Sequence, residues 1–364
     1  MVNLTGELHQ LRDVIMQIKS HNMWCIYQIK MDMLGLRLLP TIRIMEDSRG
    51  HNNQLKILRI ILPEIPNKVS FKMTELMYDS RRQNVYEAVE GIMDHLRLLH
   101  STLYSGSSLE REAASQLLPH MYGTLASILA SCCITLQLPL TQFVFNLYKL
   151  SFTSDRMSTK LKYASMLYCS GQCAAAAQVL THCESLLGPD VAHYSTCYGR
   201  PCDSVDQSDA YLENGLGGNI VDLLKSQSTL CVKFSIHEVC CVPEHLQCEM
   251  FRTMTHEDQQ LRHGHNLWMD LVMIDCVPFL HYLQYLLYRQ LGQSARKLAA
   301  LQKLKDYVCQ PGGIRGHTDT AAHVLAHCYE LENRPDVAFD FYQQSVQHFP
   351  RNNTANWHLA RLLQ

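Results

Sequence analysis

The last quarter of the chain constrains its fold most. Asp319 to Asn352 reads as a 34-residue unit of two amphipathic helices with a tight turn between them. Leu325, Ala326 and Tyr329 set a large, a small and an aromatic residue along the first helix. Ala338, Tyr342 and Ser345 set small, aromatic and small along the second, and Pro350 closes the unit, because proline cannot extend a helix. A helix pair of this kind cannot bury its apolar face alone. It has to stack on similar pairs, so one unit predicts others.

The chain supplies them. Residues 157–190 carry a more worn unit, with Ala164, Leu167 and Tyr168 before a turn at Gly171 and Ala176, Leu180 and Cys183 after it; Gly188-Pro189 closes it. A third unit centres on Gly292, between Tyr285 and Tyr288 on one side and Leu298, Leu301 and Leu304 on the other; Lys297 stands where a small residue is expected. Gly292 and Asn333 are 41 residues apart, one period plus an insertion that Pro311-Gly312-Gly313 explains. Trp357, Leu359 and Ala360 begin a further first helix, which would cap the stack. This pattern resembles the tetratricopeptide repeat. The resemblance implies an all-α solenoid that holds a protein or peptide partner, with the first helix of each pair lining the concave face. Thr320, His323, His327 and Glu330 are then the polar positions expected to face that partner, or else to form a solvated face. Two histidines and one acid do not resemble the Lys/Asn set that clamps a peptide's terminal carboxylate. Ala164, Ala176, Ala326, Tyr329, Ala338, Tyr342, Ser345 and Pro350 are expected to pack the repeats.

Helical spacing also dominates residues 1–150, expected to form an amino-terminal helical bundle. Leu8, Leu11, Ile15 and Ile18 form one stripe, and Val85, Val89, Ile92, Leu96, Leu99 and Leu103 a longer one. Leu55 to Leu62 reads as a buried helix closed by Pro63 and Pro66. Ser107 and Glu110 have capping-box spacing and open a helix near Leu109, which Pro119 is expected to kink or interrupt before it resumes through Leu125 to Leu136. Pro139 and Thr141 restart the pattern with Phe143, Leu147 and Leu150. The apolar run from Tyr122 to Leu140 is broken by Thr124, Ser127, Ser131, Thr135 and Gln137, so a buried helix is expected there and no membrane span. Residues 151–190 form a helix pair, and 191–243 an irregular insertion bearing cysteine and glycine. Within that insertion Leu230 to Phe234 is a short extended run. Pro243 opens a helix with Leu246, Met250, Phe251 and Met254, and residues 244–364 carry the remaining repeats.

Of the 364 residues 47% are hydrophobic and 18% charged, a globular balance, and the net charge of -2 provides no field for nucleic acid or an anionic membrane. Fifteen cysteines, an odd number, include Cys132, Cys133 and Cys173 inside apolar helical stretches. Met1 to Thr5 leads into an amphipathic pattern, which differs from a basic stretch before an apolar signal core. A reduced, cytoplasmic chain is expected. Gly106-Ser107-Ser108 with Glu110 and Glu112 has the look of a nucleotidyltransferase turn and metal-binding acids, but these glutamates stand within five residues of Ser107 and read as the start of a helix. Gly215-Leu216-Gly217-Gly218 lacks the Lys-Ser/Thr of a phosphate loop and reads as a turn. Cys197, Cys202, His237 and Cys240 could supply a tetrahedral zinc site, yet their spacing is looser than a zinc knuckle, and packed thiols are favoured. No Ser-His-Asp order, His-Glu-x-x-His or dinucleotide fingerprint is present. The expectation is a non-enzymatic scaffold without metal or cofactor.

Four segments carry a more specific likeness: Leu138-Pro139-Leu140, Asp155 to Tyr168, Cys197-Tyr198-Gly199-Arg200, and Val242 to Phe251. Together they resemble the helical carboxy-terminal region of invertebrate Mab-twenty-one-like proteins, relatives of the cyclic-dinucleotide synthase-like nucleotidyltransferases. The likeness covers residues 138–364. It implies a link to nucleic-acid sensing or innate immunity. The family's catalytic Gly-Ser turn and metal-binding acids have no counterpart here, so no catalytic residue is carried over. The alternative to a stand-alone scaffold is the non-catalytic lobe of a nucleotidyltransferase.

Overall fold

The computed structural model describes residues 84–188, 190–195, 220–252, 267–310 and 316–364, together with Val69, residues 72–74, Met77 and Tyr211. The expectations for Leu8 to Ile18, Leu55 to Leu62, Cys197, Cys202, Gly215 to Gly218, Met254 and Pro311 to Gly313 lie outside the described residues.

Helix α1 (Val85–Ser105) starts at Asn84, whose side chain accepts the Tyr86 and Glu87 N–H groups while the Glu87 carboxylate accepts that of Asn84. Val89, Ile92, Leu96 and Leu99 are its buried stripe. Helix α2 (Ser108–Thr135) opens on the same reciprocal device: Ser107 Oγ accepts the Glu110 N–H, and the Glu110 carboxylate accepts the Ser107 N–H. It then runs through Pro119 as one helix, so of the kink or interruption expected there the interruption does not occur. An interior proline costs about 3 kcal/mol, since it removes one helix hydrogen bond and crowds the preceding turn. Here α2 buries Leu118, Met121, Leu125 and Ile128 against its neighbours. At about 1.5–3 kcal/mol per buried large side chain, that packing outweighs the proline. Residues 110–135 are long and apolar enough to cross a membrane, and most of that stretch is buried inside the protein. Thr141 opens α3 (Gln142–Ser151) by accepting the Val144 N–H.

Next come helical pairs joined by one kind of turn. Helices α4 (Ser158–Cys169) and α5 (Cys173–Ser185) meet at Gly171, with φ +77°. The segment 186–275 follows, described in part. It contains β1 (Ala192–Tyr194), α6 (Ile220–Gln227), β2 (Ser228–Leu230), β3 (Val232–Phe234), a 3-10 turn over Ile236–Cys241, α7 (Glu244–Gln247), further 3-10 turns over Cys248–Phe251 and Leu267–Asp270, and β4 (Val272–Ile274). Helices α8 (Cys276–Gln290) and α9 (Ser294–Cys309) meet at Gly292, φ +67°. Helices α10 (Thr318–Leu331) and α11 (Pro335–His348) meet at Asn333, φ +57°, and α12 (Ala355–Leu362) follows.

In each turn two successive N–H groups fold back on the last helical turn. Gly171 and Gln172 donate to Tyr168 and Leu167, Gly292 and Gln293 to Arg289 and Tyr288, and Asn333 and Arg334 to Glu330 and Tyr329. The turn needs a residue that tolerates a left-handed backbone, which is why glycine or asparagine stands there. A Cβ at Gly171 or Gly292 would meet open space, so the requirement is conformational and not steric.

The chain is all-α, as the sequence predicts; the strands are three residues each, β1 parallel to β2 and β3 antiparallel to β4. The helix pairs pack in series. Helices α4 and α5 lie against α8, α9 against α10, and α11 against α12, so the first pair joins the second across the intervening residues. Asp155 fixes the segment 186–275 to that joint: its carboxylate accepts the Met157 and Ser158 N–H groups opening α4 and the Leu230 N–H of β2. Lys297, out of place in a repeat, reaches the next pair and salt-bridges Glu332 at 2.5 Å. One hydrophobic core runs from α1 to α10, and a smaller one gathers Ala326, Ala338, Tyr342 and Ala355.

Candidate partner-binding site

The polar side of α10 is expected to meet a partner or to stand solvated, but the protein's own residues 243–252 cover it. Leu246 anchors this segment in the core, while His245, Glu249 and Arg252, spaced by four and three, turn toward α10–α12. Arg252 is fully buried. Its Nη1 donates to Asp319 Oδ2 at 3.0 Å, Nη2 to Thr320 Oγ1 at 2.8 Å, and Nη2 also pairs with Glu249 Oε2 at 2.5 Å. The guanidinium lies 5.2 Å from the centre of the Trp268 ring.

Glu249 connects the arginine to the helix pair. Thr354 Oγ1 donates to Glu249 Oε1 at 2.7 Å, and His323 Nδ1 lies 2.7 Å from the same oxygen. Burial pushes the Glu249 carboxyl up, but the Arg252 charge, with the hydrogen bond from His323, outweighs it and holds the group down at about 2. His323 Nδ1 therefore donates to a carboxylate, which leaves Nε2 to accept from Ser345 Oγ at 2.8 Å. Asn353 Nδ2 donates to Ser345 Oγ at 3.0 Å while its Oδ1 accepts the Ala355 N–H that opens α12. Ser345, small by sequence pattern, is thus also a relay in this network.

Beside it three imidazoles stack. His245 lies between His327 and His358, with ring centres 4.0 Å apart on each side and interplanar angles of 3° and 18°. Burial lowers His327 to about 4, helped by the nearby Arg361 and Arg289. Burial and His323 lower His358 to about 3, and burial followed by His327 puts His245 well below the ordinary histidine range. The stack is neutral at pH 7, as face-to-face packing requires. No group of three His, Cys, Asp or Glu suited to a metal occurs among the described residues. The Tyr342 hydroxyl donates to Glu330 Oε1 at 2.7 Å, and both Glu330 oxygens accept from Arg361 Nη2 at 2.8 and 2.6 Å. Buried His358 Nε2 has no hydrogen-bond partner.

The sequence expectation for this face needs correction. Thr320 and His323 are buried beneath residues 243–252 and cannot face a partner in this structure. His327 sits in the imidazole stack, and Glu330 is occupied by Tyr342 and Arg361. The sequence reading missed Glu249, Arg252, Asp319 and His358. The i,i+3 spacing of Glu249 and Arg252 was a signal, but a weak one on its own. Of the packing positions, Ala164, Ala176, Ala326, Ala338, Tyr342 and Ser345 are buried; Tyr329 stacks on Phe341, ring centres 5.8 Å apart, and Pro350 is exposed just beyond α11.

Two other places were weighed. A cavity of about 40 Å³ is bordered by His120, Ser158, Thr159, Lys162 and Lys233. Its Ser158 and Thr159 hydroxyls, like its two lysines, already bond within the protein, and the space suits about one water. At the proposed zinc position, Cys240 Sγ contacts Thr135 Oγ1 and Cys241 donates to the Ser127 carbonyl, its thiol raised well above the ordinary value by burial. No protein family, curated protein or solved structure matches this chain.

Proposed function

We propose that the chain is a non-enzymatic protein-interaction scaffold built from tetratricopeptide-like helix pairs. The observation that carries this reading is the recurrence of one left-handed turn at Gly171, Gly292 and Asn333, each joining two packed helices, with the first pair packing on the second and the second on the third. Pairs repeated in series make long surfaces relative to their core, the property scaffolds use. Since the chain's own residues close the α10 face, partners meet other surfaces. Trp357 and Phe251, 50% and 53% exposed and joined by an indole N–H to carbonyl bond of 3.3 Å, are of the aromatic kind that anchors interfaces. Cys183, Cys241, Cys276 and Cys328 are buried free thiols, which supports a reducing, cytoplasmic setting. The Mab-twenty-one-like resemblance adds a link to nucleic-acid sensing as part of the same proposal.

The test has two arms. Cross-linked purification from native cells is expected to recover a reproducible protein partner whose binding is rebuilt from pure components. A folded chain with no such partner overturns the reading. Incubation with nucleoside triphosphates and magnesium is expected to give no nucleotidyl transfer, and transfer by this chain alone overturns its non-enzymatic half.

A further inference from the structure

We propose that the open trough between the first two helix pairs binds a carboxylate-bearing segment of a protein partner, with Arg296 as its anchor. This rests on the scaffold reading and names the partner chemistry. The trough has a volume of about 260 Å³. Gln284 and Tyr288 of α8 form its floor, Thr181 and Glu184 of α5 one wall, and Arg296, Ala299, Ala300 and Lys303 of α9 the other. Both walls are second helices of their pairs, so the trough lies away from the first-helix face that residues 243–252 occupy on α10. It exists because α5 and α9 both pack on α8, and α9 presents Ala299 and Ala300 where a large side chain would reach across. At about 30 Å³ per water it has room for an acidic side chain with adjoining backbone.

The charges in the trough are unequal. Glu184 is already satisfied, because Gln284 Nε2 donates to it at 2.8 Å and Lys303 pairs with it. Those two cancel. Arg296 donates one N–H to Gln293 Oε1 at 3.1 Å and its guanidinium lies 5.7 Å from the centre of the Tyr288 ring, yet no carboxylate pairs with it among the described residues. An exposed guanidinium held over an aromatic ring keeps a two-pronged donor face free, which a carboxylate matches and an amide matches poorly. Of the four basic residues of α9, Lys297 pairs with Glu332 and Lys303 with Glu184, which leaves Arg296 and Lys305 against one acid, Asp306. The local field therefore favours an acidic segment over a basic one.

The probes are labelled octapeptides rich in Asp and Glu, their Asn/Gln counterparts and a Lys-rich control, titrated into the full chain by fluorescence anisotropy. The acidic peptides are expected to bind at least tenfold more tightly than either control, and to weaken with salt. Arg296→Glu is expected to reduce that binding at least tenfold by reversing the charge. Ala299→Trp is expected to do the same by filling the trough with no charge change. Both positions are exposed, so the unfolding midpoint should stay put; should Ala299→Trp fail to fold, Ala299→Leu takes its place. Equal binding by wild type and Arg296→Glu, or no preference for the acidic series, overturns the proposal. The two readings fail separately. A native partner retained by both variants refutes the trough and leaves the scaffold. Acidic peptides bound at Arg296 with no native partner recovered support the trough and refute the scaffold.

Discussion

The pair Arg252–Glu249 and the pair Lys303–Glu184 use the same chemistry in opposite surroundings. Arg252 and Glu249 are sealed, with side chains 0% and 1% exposed, and their remaining atoms are shared among Asp319, Thr320, His323 and Thr354. Lys303 and Glu184 stand at the mouth of a trough, 52% and 33% exposed. Removing one partner from a sealed pair strands the other charge in a low-dielectric interior, whereas water takes over at an exposed pair. The first cluster therefore holds the final helices to residues 243–252. The second leaves a cation-bearing surface available.

The largest expected effect comes from breaking the sealed cluster. Arg252→Ala should cost about 3–5 kcal/mol of stability, read from urea or thermal unfolding, because it leaves Glu249 and Asp319 buried without their guanidinium. A loss under about 1 kcal/mol would show the cluster to be hydrated. Acid should sharpen the contrast next. Folded His327 and His358 titrate at about 4 and about 3, below the ordinary value of about 6.5. As pH falls below 6.5 the unfolded chain takes these protons first, so stability declines toward pH 4. Glu249, held at about 2, adds a further loss below its ordinary value of about 4.3. His358→Phe should remove about 1.4 kcal/mol per pH unit from this slope. Because it also deletes the orphaned Nε2, the variant should be no less stable than wild type at pH 7. Urea midpoints at pH 7, 6 and 5 check both, and an unchanged slope would remove His358 from the account. Smallest is Lys303→Ala, expected to change stability by less than about 1 kcal/mol. A larger loss would mean the trough's ion pair is structural after all.

Local signals in the sequence were faithful. The Val89, Ile92, Leu96 and Leu99 stripe is the buried face of α1, Ser107 and Glu110 open α2, and Gly171, Gly292 and Asn333 sit in the turns. Each depends on residues within a few positions of one another. Pro119 shows where local reading ends, since its helix persists through burial supplied by distant neighbours. The site was legible only in part. Periodicity identified the face carrying Thr320 and His323 but not the segment that covers it. Arg252 reaches Asp319 across 67 residues and Glu249 reaches His323 across 74, and no spacing rule joins such positions. The trough was also invisible, being a shape left between helices from two separate pairs.

The packing of the first pair on the second bears on how the molecule assembles. Glu184 and Gln284, hydrogen-bonded across the joint, are one hundred residues apart in the chain. An uninterrupted stack can zip up from neighbour to neighbour, but here a long excursion must close before the two halves touch. Loop-closure entropy rises slowly with length, so the finished molecule is little penalised, while contacts so remote slow the search for it. Docking of the halves is therefore expected to follow the folding of each.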